Sequence, residues 1–224
     1  MAVIPARDRH EMLTDCVDSI APQVDTVFIL DNQSAPPIAT DRWPVKLGTG
    51  WVVAKRVEMD PPNISRLWNI GIRAADHDAY CRSVREWDVV VLNSDVVVSP
   101  GWVDALSAAM RATAAVLAYP DQSGGQQQIL HTRAEPVDLA KRITGYAFML
   151  RGESELRLDD SMAWWYSDDD LDWRARQQGG ALLVPGLAVE HRAPNVSTNE
   201  RPELREQAGR DRETFITKWG KAPH

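Results

Sequence analysis

The sequence predicts an α/β fold, a mostly parallel sheet flanked by helices, and three observations carry that expectation. Short β-rich runs alternate with segments of helical period over residues 1–120. Several of these runs are continuously apolar, as in strands covered on both faces. The connections are short, so consecutive parallel strands must be joined through the helices. A chain of 224 residues has the size of one large domain. It can bury roughly 70% of the surface that its unfolded form exposes.

Val3-Ile4-Pro5 reads as a short strand ended by proline. Apolar residues at Met12, Leu13, Cys16, Val17 and Ile20 then mark one face of a helix. Residues 26–30 form a buried strand that stops at Asp31-Asn32-Gln33-Ser34, which is turn chemistry. Residues 51–57 are a further strand, and Ile64, Leu67, Trp68, Gly71, Ile72 and Ala75 a further helix. A second buried strand over 87–92 breaks at Asn93-Ser94-Asp95. Pro100 is expected in the first turn of a helix carrying Trp102, Val103, Leu106 and Met110. Residues 116–119 make another strand. The second half is less regular. Residues 121–128 are a Gly- and Gln-rich loop and 143–150 an apolar strand. Residues 167–178 form a polar helix stopped by Gly179-Gly180, and 181–189 a strand leading into His191. A last helix over 202–219 shows Leu204, Ala208, Phe215 and Trp219 on roughly one face. No repeat or linker divides the chain.

Composition narrows the function classes. With 44% hydrophobic and 25% charged residues, the chain is neither disordered nor of low complexity. Its 25 Lys and Arg against 32 Asp and Glu give a net charge of -7, which argues against a broad basic surface for nucleic acid. Two cysteines, Cys16 and Cys81, supply neither a disulfide framework nor a four-ligand zinc site. No apolar run is long enough to cross a bilayer and no signal peptide opens the chain, so a cytoplasmic location is expected.

In parallel sheets ligands bind beyond the carboxyl ends of the strands. Two such ends are polar here, Asp31-Asn32 and Asn93-Ser94-Asp95. A carboxylate at the second can hold a divalent cation against a diphosphate, or simply cap the strand. Asp31 and Asn32 can hydrogen-bond a nucleobase or ribose, or form a turn. His191, after an apolar run, is a metal ligand or a solvated side chain. Asp168, Asp169, Asp170 and Asp172 crowd one helix start. Acids there are favoured by the helix dipole, yet four exceed what capping needs, and crowding suits a general base. Trp164-Trp165-Tyr166 is core, or a platform for a sugar ring.

Taken in order, these blocks resemble family 2 of the GT-A fold glycosyltransferases. Val3-Ile4-Pro5-Ala6-Arg7, Ile29-Leu30-Asp31-Asn32-Gln33-Ser34, Asn63 through Asn69-Ile70-Gly71, and Val91-Leu92-Asn93-Ser94-Asp95 resemble its donor-binding blocks. Thr144-Gly145-Tyr146-Ala147-Phe148-Met149-Leu150 resembles its acceptor-side strand. Ser167-Asp168-Asp169-Asp170-Leu171-Asp172-Trp173-Arg174 resembles its base-carrying helix start, and Val189-Glu190-His191 its late metal histidine. The resemblance implies a single GT-A domain over 1–195, with a nucleotide-sugar half (1–120) and a partly antiparallel acceptor half (121–195). Residues 196–224 lie outside it as a helical extension.

The resemblance further implies a nucleoside-diphosphate sugar donor, inversion at the sugar, and a manganese or magnesium ion on Asp95 and His191. Asp168 would be the base, Pro5, Ala6, Arg7, Asp31, Asn32, Asn63, Asn69, Asn93 and Ser94 the donor contacts, and Gly145, Trp164, Trp165 and Asp169 the acceptor contacts. Asn93 stands where many members carry Asp, so one charge is missing beside the cation. Ser167 stands where Glu often precedes the base. Two other readings compete: a nucleotidyltransferase of the sugar-nucleotide pyrophosphorylase kind, and a catalytically silent binder. Pro5-Ala6-Arg7-Asp8-Arg9 lacks the glycines that the first alternative usually carries after its first strand. The acceptor is left open among glycans, proteins, small metabolites and hydroxylated nucleobases.

Overall fold

The computed structural model describes residues 1–43 and 51–224. Strands β1 (Ala2–Ala6), β2 (Thr26–Asn32), β3 (Trp51–Val57) and β4 (Asp88–Leu92) are parallel neighbours. The sheet is completed by β6 (Leu117–Pro120), β7 (Ile129–His131), β8 (Ala147–Arg151) and β9 (Ala181–Val184). Its strand order is β3-β2-β1-β4-β8-β6-β9-β7. β8 runs antiparallel to both β4 and β6, β9 parallel to β6, and β7 antiparallel to β9. A second small sheet pairs β5 (Val96–Val97) with β10 (Glu190–His191), antiparallel.

Helices cover both faces, because the buried strands alternate core residues between two sides. Ile4, Ile29, Val90 and Met149 face α1 (His10–Ile20) and α3 (Trp102–Arg111), which contribute Leu13, Val17, Trp102 and Leu106. Val3, Leu30, Val91 and Phe148 face α2 (Ile64–Cys81) and α4 (Ser167–Gln178), which contribute Leu67, Trp68, Ile72 and Leu171. A Cβ on Gly71 would stand 2.2 Å from Val3 Cγ1 and 2.9 Å from Leu30 Cδ2, so the missing side chain sets how closely α2 lies on β1. Gly71→Ala is expected to lower stability by about 1–3 kcal/mol through overpacking. Urea unfolding measures this, and an unchanged midpoint would mean that α2 can lift off the sheet freely.

Several elements differ from the sequence expectation. Asp31 and Asn32 are not a turn but the last residues of β2, where Asp31 lies opposite Arg56 and is paired with it. β8 begins at Ala147, because Ala147 N–H closes a turn on Thr144 O and residues 144–146 stay outside the sheet. β9 stops at Val184, before Pro185 and a Gly186 with φ 74°. α3 begins after Gly101, whose φ of 78° takes the left-handed form, so Pro100 lies ahead of the helix. α4 is the expected polar helix, yet four of its charged residues turn inward: Asp169, Asp170, Asp172 and Arg176 are all buried.

The unforeseen strand β7 brings His131 beside Arg176 and Lys141. Its Nε2 is buried without a hydrogen-bond partner among the described residues. Burial first, then those two cations, push the imidazole from an ordinary 6.5 to about 4. The folded chain therefore holds His131 neutral where the unfolded chain protonates it. Its contribution is intact above about pH 6.5 and is lost as pH falls toward 4. Urea midpoints measured across that window should fall less steeply in His131→Gln than in the parent. Parallel slopes would remove His131 from the acid sensitivity.

The extension expected over 196–224 is built into the same body. After a short helix α5 (Val196–Glu200), α6 (Pro202–Trp219) lays Phe215 and Trp219 against Trp173 of α4, with ring centroids 5.0 and 5.2 Å apart. Lys218 pairs with Asp159 at 2.7 Å and Asp170 at 2.8 Å. No helix of the described residues is long and apolar enough to cross a membrane.

Candidate active site

β1 has β2 on one side and β4 on the other, so the connections reverse direction there and leave a crevice beyond the strand ends. A cavity of about 740 Å³ opens at this place. Twelve of the sixteen residues singled out in the sequence line it: Pro5, Ala6, Arg7, Asn32, Asn93, Ser94, Asp95, Gly145, Trp164, Trp165, Asp168 and His191. Asp31, Asn63, Asn69 and Asp169 do not.

The four exceptions have their polar atoms committed elsewhere. Asp31 accepts from Ser34 N at 2.8 Å, Ile38 N at 3.1 Å and Arg56 at 3.2 Å, which shapes the loop after β2. Burial works against this carboxylate, but the bonds from Ser34 and Ile38 and the Arg56 charge hold it below the usual range. Asn63 caps α2 through Arg66 N at 2.9 Å. Asn69 clamps Leu158, donating to its carbonyl at 2.8 Å and accepting from its N–H at 2.9 Å. These three, expected as donor contacts, lie off the cavity with their polar atoms engaged in the fold. Asn32 lines the cavity, yet its amide is likewise exchanged with the backbone of Met59, at 3.1 and 3.0 Å.

The loop after β1 is strained in a way that aims cations at the cavity. Asp8 and Arg9 both take left-handed backbone, φ 58° and 51°. Asp8 also lines the cavity, but it is tied to the loop after β2: its N–H donates to Ser34 Oγ at 2.8 Å and its carboxylate accepts from Ala35 N at 2.9 Å. Arg7 and Arg9 on either side of it line the cavity.

The β5–β10 ladder creates the next feature. His191 lies opposite Val96, and Arg192 N–H donates to Asp95 O at 3.0 Å. This brings His191 Nε2 to 3.4 Å from Asp95 Oδ1, while the imidazole stacks on Tyr146 at 4.1 Å. Two adjacent ligands of an octahedral cation, each about 2.1 Å from it, stand about 3 Å apart. The pair therefore fits one divalent ion with small adjustment. Among the described residues no group of three or more His, Cys, Asp or Glu could hold a metal. The remaining positions would fall to substrate oxygens and water, as is usual for magnesium-like ions.

At the start of α4 the three adjacent acids differ sharply. Asp168 keeps 13% of its side chain exposed and lines the cavity, whereas Asp169 keeps 1% and Asp170 none. No hydrogen bond engages the Asp168 carboxylate among the described residues, and its nearest cation is Arg142 Nη2 at 4.0 Å. Gly145 makes room for it, since a Cβ there would stand 2.3 Å from Asp168 Oδ2. Asp169 is gripped through both oxygens by Arg142. Burial and then Asp168 push its carboxyl up to about 8, with Arg142 pulling back. Asp169, expected as an acceptor contact, is thus buried against Arg142 and does not line the cavity. Asp170 binds Arg174 at 2.8 Å and the Trp219 indole at 2.9 Å. Ser65 on α2 fastens this helix start: its hydroxyl donates to Met162 O at 2.6 Å and accepts from the Ser167 hydroxyl at 2.7 Å.

Sequence reasoning missed Arg9, Arg142, Tyr146 and the cavity wall built by residues 193–204. Their partners lie far along the chain, and only the adjacency of Tyr146 to Gly145 gave any local hint.

No protein-family model and no curated protein sequence matches the chain. Its fold does match solved structures. S. aureus TarS 1–349 in complex with UDP aligns at TM-score 0.62 and 10% identity, over 96% of this chain and 69% of that one. The same fragment in complex with UDP-GlcNAc aligns at 0.57 and 9%, over 96% and 70%. GalNAc-T7 with UDP, GalNAc and Mn2+ aligns at 0.59 and 16%, over 85% of this chain and 43% of that one. These neighbours are glycosyltransferases, and at such identities the likeness shows the architecture: this chain has the GT-A-like fold.

Proposed function

We propose that this protein transfers a sugar from a nucleoside-diphosphate sugar to an acceptor hydroxyl, inverting the anomeric carbon. One observation carries the reading. A single cavity at the switch point of the sheet holds both the Asp95–His191 pair and an Asp168 carboxylate that no hydrogen bond engages among the described residues. The likeness in fold to proteins solved with UDP, UDP-GlcNAc, and UDP with GalNAc and Mn2+ supports a nucleotide-sugar donor.

Pro5, Ala6 and Arg7 at the end of β1 and Asn93 and Ser94 at the end of β4 flank the donor. Arg7 and Arg9 are fixed cations for its diphosphate. Asp95 and His191 would hold manganese or magnesium, which supplies positive charge to the departing diphosphate. Asp168 removes the acceptor hydroxyl proton as its oxygen attacks the anomeric carbon. One base beside the acceptor implies a single displacement, and hence inversion.

Incubation with labelled nucleotide sugars tests this directly. Release of nucleoside diphosphate with a new glycoside of inverted configuration is the expected result. Release of pyrophosphate would mark a nucleotidyltransferase, and donor binding without turnover on any acceptor a silent binder.

A further inference from the structure

Residues 193–211 lie mostly beyond the span that resembles the glycosyltransferase family, yet they shape one wall of the cavity. Asp211 on α6 is fully buried. Its carboxylate accepts the N–H groups of Ala163 at 3.0 Å, Trp164 at 2.8 Å and Trp165 at 2.9 Å, and the Gln207 amide at 2.7 Å. A carboxylate bound to three successive backbone amides fixes that segment in place. The two indole N–H groups both point to Thr198 Oγ1, at 2.8 and 3.4 Å. The polar edge of each ring is therefore used, and what these half-buried tryptophans offer the cavity is carbon. Tyr166, with φ 67°, turns the chain immediately afterwards, and Asp168 follows two residues later. Ser123, Asn195 and Ser197 supply hydroxyl and amide groups on the same cavity.

We propose that the acceptor is a saccharide, one ring of which lies against the Trp164–Trp165 pair that Asp211 holds in place. The assignment rests on the glycosyl-transfer reading above. A sugar ring carries C–H groups on its faces and hydroxyls around its rim, which matches rigid aromatic carbon bordered by hydroxyls and amides. A hydroxylated base in DNA would also stack, but its strand brings a run of phosphates to a chain of net charge -7 with no broad basic surface, and on the cavity itself Arg7, Arg9, Arg142 and Arg201 are balanced by Asp8, Asp95, Asp168 and Glu200. A protein hydroxyl brings no ring to cover the platform.

Saturation-transfer NMR on the whole chain with UDP and manganese separates these cases. The probes are methyl glycosides of glucose, galactose and N-acetylglucosamine, their short oligomers, and a hydroxymethyluracil oligonucleotide. Saturation should reach the C–H protons of one face of a saccharide ring. Trp164→Leu and Trp165→Leu should each weaken that binding about three- to tenfold, the scale of one aromatic contact, with the UDP signal retained. Asp211→Asn should do the same, and where it unfolds the chain the tryptophan variants still decide. Saccharides silent beside bound UDP, saccharide binding indifferent to both tryptophans, or an oligonucleotide signal lost in their place would each overturn the assignment. Saccharide binding without any UDP binding would keep the platform and sink the glycosyl-transfer reading instead.

Discussion

Asp168→Asn is expected to leave nucleotide affinity unchanged and to lower sugar transfer by roughly 10²- to 10⁴-fold, the usual contribution of a positioned general base. The change is nearly isosteric, and among the described residues no hydrogen bond depends on this carboxylate, so stability should barely move. Its neighbours predict the opposite pattern. Asp169 is buried against Arg142, and Asp170 against Arg174, Lys218 and Trp219. Removing the charge of Asp169 strands the largely buried Arg142, at about 3–5 kcal/mol, whereas Arg174 and Lys218 beside Asp170 still reach solvent and that loss is smaller. Asp169→Asn and Asp170→Asn should therefore lower the urea midpoint clearly and cost less turnover per folded molecule. Steady-state transfer, nucleotide titration and unfolding on the three variants settle the assignment. If Asp169→Asn abolishes turnover in a stable, nucleotide-binding protein, the base lies one residue on. If all three transfer normally, the acids are only helix structure.

This division among three identical side chains shows where sequence reading runs out. A run of acids at a helix start is visible, but burial distinguishes its members, and burial comes from elements far away. Gly145 clears space for Asp168, Arg142 covers Asp169, and α6 covers Asp170. The strands and helices with a strong local period were readable nearly to their ends: β3 at Trp51–Val57, α4 at Ser167–Gln178 and α6 at Pro202–Trp219 match the expected bounds. β7 was not, because three residues after a Gly- and Gln-rich stretch carry no period and form a strand only through pairing with β9. Asp95, His191 and Asp168 could be singled out because they interrupt apolar or helical patterns, and the structure brings all three to one cavity. The backbone bonds of Asn63 and Asn69 could not be foreseen, because an asparagine looks the same in sequence whether it meets a ligand or a backbone amide. Asp211 left no local trace, since the backbone amides it holds lie 46 to 48 positions away.

Nucleotide binding is expected to require manganese or magnesium, to vanish with a chelator, and to lose its metal response in Asp95→Ala. Asp95 supplies the only carboxylate of the pair, so its loss should weaken metal-dependent binding by roughly 10²-fold or more, the several kcal/mol that a cation contributes at a diphosphate. Asn93 nearby is neutral and cannot take over that charge. The fold should survive, because the Arg192 N–H bonds the backbone carbonyl of Asp95, which alanine retains. His191→Ala removes a neutral ligand and the stack on Tyr146, so a smaller loss of metal affinity is expected there. Titrations of nucleoside diphosphate with and without manganese, on parent and both variants, measure each term separately. Binding that ignores chelator and survives Asp95→Ala takes the cation out of the mechanism. Charge on the leaving diphosphate would then have to be met by Arg7 and Arg9, and Arg7→Ala together with Arg9→Ala would become the variants that abolish binding.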